Sequence, residues 1–336
     1  MQARPQPEQA ATAFAGVPGA HRDDLNRRPF VLRHDLAGHR LFSLDRLARL
    51  AEFLEAAGRK DSVLHRDAST RPHQMGAWDN LGHRSGIGEV IRNCRESGAW
   101  VALHDSETDP EYRDLLHAVV RELSIAVDRD LVAEAEYVTG HIFIGSPNSV
   151  TDYHMDSETN FLVVMAGEKH FNLFDGDDES ILPQQSIEDF YWGTANALRY
   201  RPELADRGVP MPLGPGDCLH VPVNFPHWVQ NGPEPCIALS VLLYLPENVD
   251  RAHAFQANWL SRKAGLRPAP LQRNDHAALR RRGRLLRALS RRQPLDKRDV
   301  IASGRQRLKA PLRAIKHGFM GLRAKLFAHP RVAGNA

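Results

Sequence analysis

The chain has 336 residues, 42% hydrophobic and 25% charged, with a formal net charge of +3. These values suit a globular protein long enough for one large or two smaller cores, and no apolar run approaches the roughly 18–20 residues that span a bilayer. Cys94, Cys218 and Cys236 are odd in number and have no CxxC spacing, which argues against a disulfide framework or a zinc site and points to a reducing, cytoplasmic setting.

The small net charge hides a polarity. From Ser261 to Ala336 there are 21 Lys and Arg against three Asp, a net of +18, so the rest of the chain carries −15. Such asymmetry is a hint of an interaction tail.

In chain order, residues 1–28 are rich in Pro, Gln and Ala and lack an apolar h-region. They are expected to form a disordered leader, not a secretory signal. Residues 29–138 read as a mixed α/β flank. Pro29 to Leu32, Ser62 to His65 and Trp100 to Leu103 have strand character. Ser43 to Ala57 reads as a helix, with Ser43 as N-cap and Leu47, Leu50 and Leu54 at helical spacing. Pro110 to Val127 is a second helix, with Leu115, Leu116, Val119, Val120 and Leu123 on its apolar side.

Residues 139–248 are read as a β core. His141 to Gly145, Phe161 to Met165, His170 to Phe174, Cys218 to Pro222, Trp228 to Gln230 and Ile237 to Leu245 are short strands punctuated by Gly and Pro. That pattern predicts a sandwich or jelly roll. Ala166 to Lys169 is a predicted turn, and Gln184 to Arg207 an inserted, partly helical excursion. Residues 249–336 are predicted helical and basic; Leu308, Leu312, Ile315, Phe319, Leu322 and Leu326 form a single apolar stripe.

The chemistry-bearing residues lie in the β core. If His154 and Asp156 share a strand, both point to one side. His227 follows a Gly216-Asp217 turn, a strand and a Pro-containing turn, and would complete a set of two imidazoles and one carboxylate. Such a set holds a divalent iron by one face and leaves positions for a co-substrate and dioxygen. Iron(II) with one Asp leaves a charge that a 2-oxo dicarboxylate would overcompensate; the Lys169 ammonium would restore neutrality in a dry pocket. Thr151 could add a hydroxyl to that carboxylate, and Asn160 is expected on the strand face of His154 and Asp156. A second HxD, His65-Arg66-Asp67, has no Lys or distal His segment after it and is set aside. His220 and His170 read as structural.

At these residues the chain resembles the JmjC and cupin-like Fe(II)/2-oxoglutarate-dependent oxygenases. Its motif is most similar to that of the asparaginyl hydroxylase acting on hypoxia-inducible factor: His154, Asp156, Asn160, Lys169 and His227, with Thr151 in the family's threonine position. The resemblance covers about Thr139 to Leu245. Departures are Phe225-Pro226 before the distal histidine, and Ser240 and Leu242 on the last core strand. The resemblance implies a mainly β fold with flanking helices, a double-stranded β-helix (cupin/JmjC jelly roll) followed by a helical basic C-terminal extension. It also implies His154, Asp156 and His227 as Fe(II) ligands, and Lys169, Thr151 and Asn160 around the 2-oxoglutarate co-substrate. The implied activity is O2-dependent hydroxylation of a peptide or protein side chain, with succinate and CO2 as co-products.

Two alternatives stand beside it: the same chemistry on a small metabolite or nucleotide, and a non-catalytic cupin-like regulatory module working through its basic tail. N-methyl-lysine demethylation ranks lower. For the basic C-terminal region three roles compete: packing or homodimerisation through C-terminal helices, nucleic-acid or ribosome contact through Arg280-Arg281-Arg282, Arg284 and Arg287, and an anionic membrane surface.

Overall fold

The computed structural model describes residues 14–15, 18–67, 86–194 and 198–290. The expected stripe from Leu308 to Leu326 lies outside the described residues.

Among the described residues twelve strands form: β1 (Phe14–Ala15), β2 (Phe30–His34), β3 (Val63–Asp67), β4 (Ala99–Leu103), β5 (Tyr137–Gly145), β6 (Val150–His154), β7 (Thr159–Ala166), β8 (Lys169–Leu173), β9 (Val209–Leu213), β10 (Asp217–Val221), β11 (His227–Asn231) and β12 (Cys236–Tyr244). They make two antiparallel sheets. The large one runs β1-β2-β10-β7-β12-β5-β4-β3 and the small one β6-β11-β8-β9. The helices are α1 (Leu44–Ala56), α2 (Ile87–Arg92), α3 (Pro110–Val127), α4 (Leu131–Glu134), α5 (Gln184–Trp192), α6 (Pro246–Lys263) and α7 (His276–Ser290). This is the mainly β, helix-flanked architecture of a double-stranded β-helix. Among the described residues no helix is long and apolar enough to cross a membrane.

Side-chain alternation explains why the large sheet is buried on both faces. Phe161, Val163 and Met165 of β7 turn outward to the helices, where Leu47, Leu50 and Leu54 of α1 and Leu116, Val119, Val120 and Leu123 of α3 complete one core. Leu162 and Val164 turn inward and meet Phe171, Leu173, Leu219, Val221, Val229 and Ala238 between the sheets. The helices begin where their caps dictate. Ser43 accepts from the Arg46 amide, and Asp109 accepts from the Glu111 amide with Pro110 in the first turn.

Three differences from the expectations have physical causes. Residues 18–28 are ordered turns here, not a disordered leader: Leu25 and Asn26 are buried, and the Asn26 side chain donates to Thr159 Oγ1 at 2.7 Å. β9 carries Pro210 and Pro212, which mask strand character in sequence; it is an edge strand, where a missing N–H costs no ladder bond. The predicted turn at 166–169 is tighter, because Lys169 already pairs with Asn231 and Leu213. Its pivot Gly167 has φ +70°, and a Cβ there would lie 2.4 Å from the Pro235 carbonyl oxygen.

The excursion from Gln184 to Arg207 holds α5 and a 3-10 turn at Pro202–Arg207. Leu204 and Tyr200 from it pack with Tyr153, Phe174 and Trp228 on the outer face of the small sheet. The described part of the basic region is not a free helix. Gly283 of α7 lets that helix approach α6, since a Cβ there would lie 2.9 Å from both the Ala254 amide nitrogen and the His253 Cβ. Arg280 pairs with Asp250, and Arg287 with Asp250 and Glu136.

Candidate metal centre

Three rungs across the small sheet build the site. In the first, His227 of β11 lies between His154 of β6 and Leu173 of β8; in the second, Val229 lies between Thr151 and Phe171; in the third, Asn231 faces Lys169. Between the first two rungs β11 advances two residues and β6 three, a β-bulge. Strict alternation would put Thr151 and His154 on opposite faces. The bulge gives both a paired residue on the inward face of β11, and so turns both inward.

The imidazoles of His154 and His227 have ring centroids 4.2 Å apart. His154 Nδ1 lies 2.7 Å from the Asp152 carbonyl oxygen, and His227 Nδ1 lies 2.9 Å from that of Phe225. A carbonyl only accepts, so each Nδ1 carries the proton and each Nε2 is the lone-pair nitrogen. That is the tautomer a metal ligand needs. Burial, followed by the neighbouring His154, lowers the His227 pKa to about 4, which keeps this ring neutral.

Asp156 is placed differently from the sequence expectation. β6 ends at His154, so Asp156 lies beyond the strand and does not owe its direction to alternation. Its Oδ1 sits 3.9 Å from His154 Nε2, while its Oδ2 accepts from Asn160 Nδ2 at 2.8 Å. Asn160 does not share a strand with His154 either. It stands on β7 of the opposite sheet, on the inward face with Leu162 and Val164, and its Oδ1 accepts from Ser240 Oγ at 2.7 Å. One ligand atom from each of His154, Asp156 and His227 lies within 4.8 Å of the others. Among the described residues this is the one such His/Cys/Asp/Glu group.

The donor set fits a divalent ion: two proton-free imidazole nitrogens and one carboxylate oxygen, each steadied by a hydrogen bond on its other side. Side-chain exposure is 22% at His154 and 18% at Asp156, so the centre opens to solvent on that flank.

Lys169 is 5% exposed, and its Nζ donates to Asn231 Oδ1 at 3.0 Å. Among the described residues no carboxylate lies within ion-pair distance of it. Asn231 is fixed in turn by donating from Nδ2 to Ser149 Oγ at 2.8 Å. Thr151 Oγ1 accepts from Trp100 Nε1 at 3.0 Å, which leaves the hydroxyl hydrogen to donate elsewhere. Asn231 and Trp100 were not singled out in the sequence. Asn231 has the strand parity of His227 and was legible on that ground; Trp100 belongs to a distant strand, β4, and was not.

The residues set aside stay apart from the centre. Arg66, between His65 and Asp67 of the second HxD, is buried, pairs with Asp152 at 2.9 Å and lies over the Trp100 ring. His220 accepts from the Asn26 amide at Nε2 and donates from Nδ1 to the Asn160 carbonyl; burial lowers its pKa to about 3. His170 faces outward beside Glu168.

Comparison with known proteins gives the following. Solved structures of the Escherichia coli ribosomal oxygenase YcfD are similar. One matches with a TM-score of 0.45 and 15% identity over 87% of this chain and 71% of that one. Its complex with cobalt and 2-oxoglutarate matches with a TM-score of 0.40 and 17% identity over 79% of this chain and 64% of that one. Likeness at this level carries no weight for activity. No curated protein matches. The profile of the family described as a cupin-like domain matches residues 27–242, well over half of the chain and the whole of the β-roll up to Leu242. The chain belongs to the cupin-like domain family.

Proposed function

We propose that the chain is an Fe(II)- and 2-oxoglutarate-dependent dioxygenase that hydroxylates a peptide or protein side chain. The observation that carries this reading is a combination: three metal-type donors converge, and on the strand beside that of His227 a buried ammonium without a carboxylate shares the inward parity of Phe171 and Leu173. A buried unpaired charge is costly, so such a residue marks a place for an anion.

His154, Asp156 and His227 would hold the ion. His227 and Asn231 are four residues apart on β11, about 13 Å of strand. An inward-reaching lysine and a small dicarboxylate suit that span. Lys169 would bind the far carboxylate, with Asn231 orienting the ammonium and Thr151 adding a hydroxyl donor. Val229, Phe171 and Leu173 exclude water between these polar ends. When bound, iron and 2-oxoglutarate supply oxidative decarboxylation to succinate and CO2 coupled to hydroxylation. The partial exposure of His154 and Asp156 supports a substrate presented from outside, as a side chain on a larger molecule. The three free, buried thiols suit the reducing cytoplasm.

The test is incubation with iron, ascorbate and 2-oxoglutarate, reading succinate release and a one-oxygen mass gain on captured protein substrate. Both signals vanish in His154→Ala on this reading; succinate release at the wild-type rate in that variant would refute it.

A further inference from the structure

The metal reading above leaves a question of construction: what holds Asp156 in place, given that it lies beyond its strand. The answer is a buried residue on the turn that leads into β11. Asn224 is fully buried and has φ +60°, the left-handed region that side chains other than glycine rarely adopt. Its backbone amide donates to the Asp156 carbonyl at 2.9 Å, and its side-chain Nδ2 lies 3.3 Å from that same oxygen and 3.8 Å from Met155 Sδ. The Oδ1 accepts from Tyr191 Oη at 3.0 Å.

Two features make this more than packing. First, the Asp156 carbonyl only accepts, so the Asn224 amide must turn Nδ2 toward it and leave Oδ1 for the Tyr191 hydroxyl, which donates and holds the amide from behind. A flipped amide would set oxygen against oxygen at Asp156. Second, the same turn serves the distal histidine. The carbonyl of Phe225, next in the chain, takes the Nδ1 proton of His227. One five-residue turn, Pro222 to Pro226, thus fixes the Asp156 backbone with one residue and the His227 ring with the next. It ties together two ligands that come from separate stretches of the chain.

Tyr191 reaches this turn from the excursion. It is fully buried on α5, stacks on Phe255 and has its carbonyl taken by Gln256 of α6. We infer that Asn224 and Tyr191 are positioning residues of the metal centre: Asn224 fixes the Asp156 backbone, and Tyr191 acts only through the Asn224 amide. This rests on the metal reading and deepens it, by tying α5 of the excursion to one iron ligand.

The experiment is a cobalt(II) titration of the full chain followed by visible d–d absorption, with apo-protein melting recorded alongside. Asn224→Gly keeps a residue suited to φ +60° and keeps the backbone N–H, while removing the side-chain clamp. Tyr191→Phe removes one hydroxyl. The expected result is a cobalt dissociation constant raised about 10-fold or more in Asn224→Gly, a smaller rise in Tyr191→Phe, and altered band intensities in both. The double variant should be no weaker than Asn224→Gly alone, because Tyr191 works through Asn224. Wild-type cobalt affinity and spectrum in Asn224→Gly overturns the inference, as does a Tyr191→Phe effect that persists undiminished without Asn224. If the wild-type chain binds no cobalt, or His154→Ala binds it equally well, the metal reading itself fails, which is a separate outcome.

Discussion

Asn160 donates to Asp156 Oδ2 across 2.8 Å, from the large sheet to the loop that leaves the small one. Its side-chain Oδ1 accepts from the Ser240 hydroxyl. The carboxylate oxygen accepts, so the amide keeps Nδ2 toward Asp156 and Oδ1 toward Ser240, and the carboxylate presents its other oxygen toward His154. Asn160→Ala is expected to weaken iron affinity by about 10–100-fold with little change in melting temperature. Ser240→Ala should act in the same direction and less strongly. Anaerobic iron titration of both variants checks this; equal affinity in Asn160→Ala would show that the carboxylate needs no such partner.

Lys169 should separate co-substrate binding from stability. Lys169→Met removes a buried ammonium whose partner is the neutral Asn231. The apo protein is expected to melt no lower than wild type, since an uncompensated buried charge is lost. The KM for 2-oxoglutarate should rise by about 100-fold or more, and the thermal stabilisation by 2-oxoglutarate should disappear. Melting curves with and without the keto acid read both effects.

Arg66 and Asp152 form a buried pair, with side chains 4% and 6% exposed. Arg66 also donates to the Val150 carbonyl at 2.9 Å, so it holds β6 at two points, Val150 and Asp152. Asp152→Ala leaves the guanidinium buried without its carboxylate and should cost about 3–5 kcal/mol in urea unfolding. The double variant Arg66→Met, Asp152→Leu should recover most of that loss. A cost below about 1 kcal/mol for the single variant would contradict the role assigned to the pair.

Burial keeps His220 neutral down to about pH 3, whereas the unfolded ring titrates near 6.5. Above pH 6.5 neither state takes up this proton. As the pH falls below 6.5 the unfolded state alone is protonated, so stability is lost through the window from about 6.5 to 3. Between pH 6.5 and 5 this amounts to about 2 kcal/mol. His220→Gln, which retains a donor and an acceptor for Asn160 and Asn26, should flatten the pH dependence over that window by roughly one proton.

Much of the scaffold was legible because it obeys local rules. Pro110 to Val127 shows its apolar stripe in the sequence, and the helix has those bounds. β7 and β12 announce themselves as apolar runs because both of their faces are buried. The ligand residue types were legible as well, but the reason for their convergence was not. Alternation along one strand was expected to aim His154, Asp156 and Asn160 together; instead a bulge, a loop and the opposite sheet each place one of them. Those are contacts between distant parts of the chain. Asn224 and Tyr191 were invisible for the same reason: 33 residues separate them, and nothing local marks either as a partner of Asp156.

The most direct test of the central claim is anaerobic calorimetric titration with iron(II) followed by 2-oxoglutarate. The account predicts one iron per chain and keto-acid binding only after iron is present, with both lost when His154 and His227 are replaced together by alanine. Undiminished iron stoichiometry and 2-oxoglutarate binding in that double variant would contradict it.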